Sequence, residues 1–169
     1  MKVTIIIPTY NERENISLVI RRLADTVPEA RILVVDDSSP DKTYQVVRQL
    51  QSTHKQVELL LREKKQGLGH AYMHGFRHVM ENSECEAVLM MDADFSHDPK
   101  YIPQMIRHLI NYDVVVGSRY ISGGGTEGWE YWRLLLSRCG NVYARVVADM
   151  PVTDCTGGFN LIKTSFLRK

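Results

Sequence analysis

Short, uninterrupted apolar runs alternate along this chain with longer stretches in which apolar residues recur every three or four positions. Val3-Thr4-Ile5-Ile6-Ile7-Pro8 is a β-branched run closed by proline, which predicts a first, central strand. After the loop Thr9-Tyr10-Asn11-Glu12, the spacing of Ile16, Val19, Ile20 and Leu23 predicts a helix from about Glu12 to Ala24. Arg31 to Val35 reads as a second buried strand running into Asp36-Asp37. Ser39-Pro40-Asp41 predicts a helix start, with Ser39 as cap, Pro40 in the first turn, and Val46, Val47 and Leu50 inward. Val57 to Leu61 is a third strand. Gly67-Leu68-Gly69 opens a helix with Leu68, Ala71, Tyr72, Gly75, Phe76 and Val79 on one face. Ala87 to Met91 is the fourth strand, Ile102, Met105, Ile106, Leu109 and Ile110 mark the next helix, and Val114-Val115-Val116-Gly117 is the fifth strand.

Beyond Arg119 the rhythm changes. Gly123-Gly124-Gly125 reads as a lid or acceptor-site loop. Trp129, Tyr131 and Trp132 cluster ahead of a helix with Leu135, Cys139, Val142, Tyr143, Val146 and Val147 on one face. A polar, turn-rich segment, Thr153-Asp154-Cys155-Thr156-Gly157-Gly158, precedes a short strand from Phe159 to Ile162. Strands alternating with helices predict an α/β fold of one domain: a Rossmann-like, mostly parallel sheet with helices on both faces. Such sheets take ligands at the carboxyl ends of their strands. Those ends carry Tyr10-Asn11-Glu12, Asp36-Asp37, Asp92-Ala93-Asp94 and Ser118-Arg119.

Composition changes this picture little. Apolar residues are 44% and charged ones 24% of the chain, so it buries a core rather than remaining disordered. A net charge of +1 excludes a general nucleic-acid footprint. Cys85, Cys139 and Cys155 stand at no metal-binding spacing and imply free thiols in a reducing compartment. The apolar run after Met1-Lys2 is too short for a secretory leader. No run approaches the about 18 residues of a membrane span. A cytoplasmic location, or the cytoplasmic face of a membrane, is the expectation.

The chemistry gathers at Asp92-Ala93-Asp94. Residues two apart in extended backbone point the same way, and two adjacent carboxylates repel unless a cation lies between them. Mg or Mn would bind such oxygens together with substrate phosphates. The motif also fits the nucleophile of phosphoaspartate phosphatases. It is no EF-hand, because His97 stands where glycine is required and Pro103 where the bidentate Glu belongs. Gly67-x-Gly69 is not a dinucleotide fingerprint: it follows the third strand, with Tyr72 in place of the last glycine, and no P-loop is present. Asp36 and Asp37 suit a base or ribose contact, and Arg119 and Arg133 suit phosphate clamps. Lys64-Lys65 reads as solvated surface, and His70, His74 and His78 as one polar helix face.

Taken as an ordered set, Ile7-Pro8-Thr9-Tyr10-Asn11-Glu12-Arg13-Glu14-Asn15-Ile16, Val35-Asp36-Asp37-Ser38-Ser39-Pro40-Asp41 and Met91-Asp92-Ala93-Asp94-Phe95-Ser96-His97-Asp98-Pro99 resemble glycosyltransferase family 2, of GT-A fold. Gly117-Ser118-Arg119-Tyr120 and Asp154-Cys155-Thr156-Gly157-Gly158-Phe159 narrow the resemblance to dolichol- and polyprenol-phosphate mannosyltransferases. The resemblance implies inverting sugar transfer from a nucleotide donor, GDP-mannose, to a polyprenyl or dolichyl phosphate. By position, Pro8, Tyr10, Asn11, Glu12 and Asp37 would hold the nucleotide, Asp92 and Asp94 the metal, and Arg119, Arg133 and Ser137 the phosphates. Ser96 stands where some relatives carry a third metal ligand and is a weaker one. Asp154 either orients the acceptor or caps the Gly157-Gly158 turn. A lipid monophosphate, with a second pKa of about 6, is already a nucleophile at neutral pH, so no general base is needed. Contact with a membrane is expected through the lipid acceptor. Relatives of this kind continue further, so the chain reads as a catalytic domain lacking its C-terminal part. A UDP-sugar donor, the phosphatase, and a nucleotide-sugar-binding module without turnover are the alternatives.

Overall fold

The β-branched run at the start of the chain forms the strand on which the sheet is built. A computed structural model describes residues 1–82, 84–125 and 130–168, without the side chains of Asn82 and Arg133. The elements are β1 (Val3–Thr9), α1 (Ile16–Thr26), β2 (Arg31–Asp36), α2 (Thr43–Leu50), β3 (Val57–Leu61), α3 (Leu68–Asn82), β4 (Ala87–Met90), α4 (Ile102–His108), β5 (Val114–Val116), α5 (Tyr131–Ala148), β6 (Asn160–Lys163) and α6 (Thr164–Leu167). The six strands lie in the order β3-β2-β1-β4-β6-β5. β1 pairs in parallel with β2 and with β4, and β2 with β3. β6 runs antiparallel between β4 and β5. The sheet is therefore mostly parallel, as its apolar runs require.

Because both faces are covered, successive residues of one strand enter different cores. Ile5, Ile7, Ile32, Val34 and Leu89 pack with α1 (Ile16, Val19, Ile20, Leu23) and with Ile102 and Met105 of α4. Ile6, Leu33, Val35 and Val88 pack with Ala71, Tyr72 and Val79 of α3. Gly75 lets α3 close on the sheet: a Cβ there would lie 2.8 Å from Ile6 Cγ2.

Two helices begin later than their periodicity predicts. Asn11 takes a left-handed φ of 63°, and the Glu12 carbonyl accepts from both Asn15 N and Ile16 N, so a turn occupies the space before α1. Ser39 does not cap α2. Its hydroxyl donates to Asp36 Oδ2 at 2.7 Å, and Asp41 takes over by accepting from Thr43 N at 2.9 Å. Leu68 and Ile110, expected inside, are exposed. So is the whole apolar row of α5: Leu135, Cys139, Val142, Tyr143, Val146 and Val147 face outward.

Candidate functional site

The carboxyl ends of β1 and β2 are tied into one unit by a buried carboxylate. Asp36, fully buried, accepts from Thr9 Oγ1 at 2.8 Å, from Ser39 Oγ at 2.7 Å and from Ser39 N at 2.9 Å. Both of its oxygens serve the loop, so the geometry gives Asp36 a positioning role where a direct base or ribose contact was expected. Ser39 Oγ in turn accepts from Asn11 N at 3.1 Å, Thr43 Oγ1 from Glu12 N at 3.0 Å, and Asp41 from Arg13 N at 3.0 Å. The Tyr10–Glu12 loop is thus laced to the loop after β2. The Glu12 carboxylate accepts from Asn15 Nδ2 at 2.8 Å. Pro8 is half-buried at the end of β1, and Tyr10 is exposed with Lys65 Nζ 3.7 Å from its ring centroid. Lys65 is exposed, as its reading as solvated surface expects, and its charge also meets this rim through the Tyr10 ring.

Asp37 holds a partner that sequence reasoning missed. Arg62, immediately after β3, donates from Nη1 to Asp37 Oδ1 at 2.7 Å, and both side chains are about nine-tenths or more buried, at 4% and 6% exposure. Gln66 Oε1 accepts from Arg62 Nη2 at 2.8 Å. The only sequence signal was a cation directly at the end of a strand.

Across the switch in strand order between β1 and β4 lies the acidic cluster. Met91 and Ala93 are buried while Asp92 is half-buried and Asp94 exposed, so the extended alternation continues past the end of β4. Tyr72 of α3 donates its hydroxyl to Asp92 Oδ1 at 3.2 Å; burial and the Asp92 charge keep this phenol protonated. Asp92 N donates to His97 Nδ1 at 3.0 Å, which places a neutral ring's proton on Nε2. Burial holds His97 below the usual imidazole range, although Asp92 and Asp94 pull the other way. The ring stacks on Phe159 with centroids 5.0 Å apart. Asp94 Oδ1 accepts from Ser96 N at 3.0 Å; burial pushes this carboxyl up, but the Ser96 hydrogen bonds outweigh it and leave Asp94 ionised below its ordinary value. Gly158 closes the floor, where a Cβ would lie 3.3 Å from Asp92 Oδ2. Among the described residues no group of three or more His, Cys, Asp or Glu could hold a metal ion alone. Two carboxylates with exposed Ser96 beside them fit a hard divalent cation whose remaining ligands come from water and phosphate oxygens.

Antiparallel β6 completes the site. Its start pairs with the ends of both β4 and β5, Asn160 opposite Met90 and Val116, so the segment before it arrives beside Asp92 and Arg119 together. Asp154, with no exposed side-chain surface, accepts from Arg119 Nε at 2.7 Å, Nη2 at 2.8 Å and N at 3.1 Å. It also accepts from Thr156 N at 3.3 Å, which fits the turn-capping reading. Arg119 is thereby aimed by a bidentate pair. Tyr120 Oη donates to Ser137 Oγ at 2.7 Å, and Asn141 Oδ1 accepts from Cys155 N at 2.6 Å, docking the polar side of α5 here. The glycine loop folds back tightly, with a Cβ at Gly124 reaching 2.6 Å from the Ser118 carbonyl. The side chain of Arg133, like residues 126–129 with Trp129, lies outside the described residues.

This pair carries a pH signature. Burial raises the Asp154 carboxyl, but Arg119 overrides it and holds the pKa at about 2, below the 3.8 of a free aspartate. A depressed carboxyl stabilises the fold above its unfolded pKa and loses that contribution as pH falls toward the folded one. Thermal denaturation is expected to show about 2 kcal/mol lost between roughly pH 4 and pH 2, and Asp154→Asn should flatten that part of the profile. An unchanged acid limb in the variant would assign the loss to other groups.

Comparison with known proteins agrees with the geometry. The Glycosyl transferase family 2 profile matches residues 4–169. An undecaprenyl-phosphate mannosyltransferase of Micrococcus luteus is 39% identical over 99% of this chain and 69% of its own length. A polyprenol monophosphomannose synthase of Mycolicibacterium smegmatis is 36% identical over 98% of this chain and 63% of its own. The chain thus spans about two thirds of these relatives. Among solved structures, a mannosyltransferase of Pyrobaculum calidifontis in complex with GDP-Man and Mn2+ aligns with TM-score 0.59 and 25% identity, over 70% of this chain and 36% of that one. The glucosyl-3-phosphoglycerate synthase of Mycobacterium tuberculosis, with Mn2+ and UDP, aligns with TM-score 0.68 over 98% of this chain and 57% of that one; at 17% identity it speaks for the GT-A fold alone. Nothing in these matches favours the phosphatase alternative.

Proposed function

Because this chain belongs to glycosyltransferase family 2, we propose that it is the sugar-transferring part of a polyprenyl-phosphate mannosyltransferase with GDP-mannose as donor. The observation that carries this reading is the 39% and 36% identity, over nearly the whole of this chain, to two polyprenyl-phosphate mannosyltransferases, with the Asp92/Asp94 pair following β4, the strand beside β1. In the proposed reaction a phosphate oxygen of the lipid attacks the anomeric carbon while the bond from that carbon to the donor's diphosphate breaks. The product is the inverted lipid-phosphate sugar, and the nucleoside diphosphate leaves.

Each group at these strand ends has a role in that reading. Tyr10, Asn11, Glu12 and Asp37, with Pro8 beneath them, surround the nucleoside; Arg62 fixes Asp37 and Asp36 fixes the loop. Asp92 and Asp94, with Ser96 beside them, would hold Mg or Mn, which when bound screens the diphosphate's charge. Tyr72 and His97 orient Asp92 from two sides. Arg119, aimed by Asp154, offers positive charge to phosphate oxygens as the donor bond breaks, and Ser137 and Arg133 on α5 would meet the lipid phosphate. The attacking oxygen is already anionic, so no side chain need take a proton.

Isothermal titration with GDP, GDP-mannose, UDP and UDP-glucose, each with and without Mn, tests the donor site. Metal-dependent binding of the guanine pair, with transfer of labelled mannose to undecaprenyl phosphate, is the expected result. Binding of the uridine pair alone would replace the donor. A folded chain that binds none of the four would overturn the reading.

A further inference from the structure

The chain between β4 and α4 turns back on itself at a residue ill suited to the turn. Among the described residues, the non-glycine positions with a positive φ are Asn11, Ser38, Lys42, Phe95 and Asp149. Phe95, at 63°, is the one of them with an apolar side chain. A bulky side chain crowds its own backbone in that region, so contacts from elsewhere must hold it there. Two such contacts exist. The ring is half-buried and packs against the core that contains Ile16, Val19, Ile20 and Leu23 of α1. Arg22, an exposed residue of α1, places its guanidinium 5.2 Å from the ring centroid, within cation–π range.

Two hydrogen bonds close around this residue. Asp94 Oδ1 accepts from Ser96 N at 3.0 Å and brackets Phe95 itself; Asp92 N donates to His97 Nδ1 at 3.0 Å and brackets residues 93–96. The segment is pinned at both ends. Met91 is buried, with its N–H donating to the Ile6 carbonyl at 3.2 Å. Buried Pro99 opens a single 3-10 turn, Pro99–Tyr101, capped by Asp98 Oδ1, which accepts from Lys100 N at 3.0 Å. With the ends fixed, the backbone at Phe95 decides where Asp94 and Ser96 lie relative to Asp92. An extended Phe95 would carry Ser96 away from Asp94 and His97 away from Asp92, and both tethers would break.

We propose that Phe95 is a positioning residue for the divalent cation: its ring, seated in the core with Arg22 over it, holds the left-handed turn that sets Asp94 and Ser96 beside Asp92. Phe95 acts through the two carboxylates and touches neither the cation nor the substrate. The inference rests on the assignment of Asp92 and Asp94 to the metal.

The test is uptake of Mn, read from the loss of the free ion's paramagnetic resonance signal as the chain is added, with and without GDP, well below the melting temperature. Phe95→Gly removes the ring but tolerates the same φ, so the turn can still form and is no longer held. Its dissociation constant for Mn is expected to rise about tenfold or more, as when other supports of metal ligands are removed. Phe95→Leu keeps an apolar anchor and should stay closer to the unaltered chain than to Phe95→Gly. Arg22→Gln should weaken Mn binding by less than Phe95→Gly, because the core contact remains. Unaltered Mn affinity in Phe95→Gly, whatever its melting temperature, would overturn the proposal and make Phe95 a packing residue. So would equal losses in Phe95→Gly and Phe95→Leu, since an apolar anchor would then not be what holds the turn. An unaltered chain that binds GDP but takes up no Mn would sink the metal assignment and this inference with it, leaving the nucleotide site standing. Equal Mn uptake by the unaltered chain and all three variants would sink this inference alone.

Discussion

Asp94→Asn is expected to lower mannosyl transfer by roughly a hundred- to a thousandfold while leaving the fold intact. The argument is electrostatic. Asp94 is exposed, ionised, and held by hydrogen bonds from Ser96, so its charge faces the ligand space rather than the core. An amide keeps the size and can still accept from Ser96 N, but it removes one of two negative charges from a site that would hold a divalent cation. Losing a preorganised charge of this kind typically costs about 3–4 kcal/mol of transition-state stabilisation. Stability should move by no more than about 0.5 kcal/mol, as for other exposed positions. Transfer rates measured against Mn concentration, beside a melting curve, check this. Undiminished transfer at saturating Mn would remove Asp94 from the reaction.

Arg62→Met should have the largest effect on stability. It leaves Asp37 charged and buried without its partner, and breaking one side of a buried pair costs about 3–5 kcal/mol. For a chain of this size that is a fall in melting temperature of roughly 6–20 °C. Asp37→Asn in the same background should recover a large part of it, because the unpaired charge is then gone. The double variant should still bind nucleotide poorly if Asp37 contacts the nucleoside. Recovery of stability together with full nucleotide affinity would make the pair purely structural.

These two predictions draw on different information. Asp94 was legible in the sequence, because an apolar strand running into Asp-x-Asp is a local pattern. Arg62 was not. Its partner is 25 residues away on a neighbouring strand, and only the parallel pairing of β2 with β3 brings them together. The same holds for Tyr72, which helical spacing assigns to packing, and for His97, whose ring braces Asp92 through a stack on Phe159. Lys65 belongs with them, since its charge meets Tyr10 only when two loops converge.

What the sequence determined by itself was the order of strands and helices, the α/β class, and which polar segments follow the strand ends. These follow from hydrophobic periodicity and turn residues, which act over a few neighbours along the chain. Only the tertiary structure decided the place of β6. A four-residue strand has no local mark of its neighbours, and its antiparallel insertion between β4 and β5 is settled by pairing across long stretches of chain. That insertion brings Asp154 to Arg119 and Gly158 against Asp92. The fate of α5 was also undecided by periodicity, which reveals an apolar face but not what it faces. Here hydrogen bonds accepted by Ser137 and Asn141 outrank the usual burial, because the Tyr120 hydroxyl and the Cys155 N–H need partners that solvent no longer supplies.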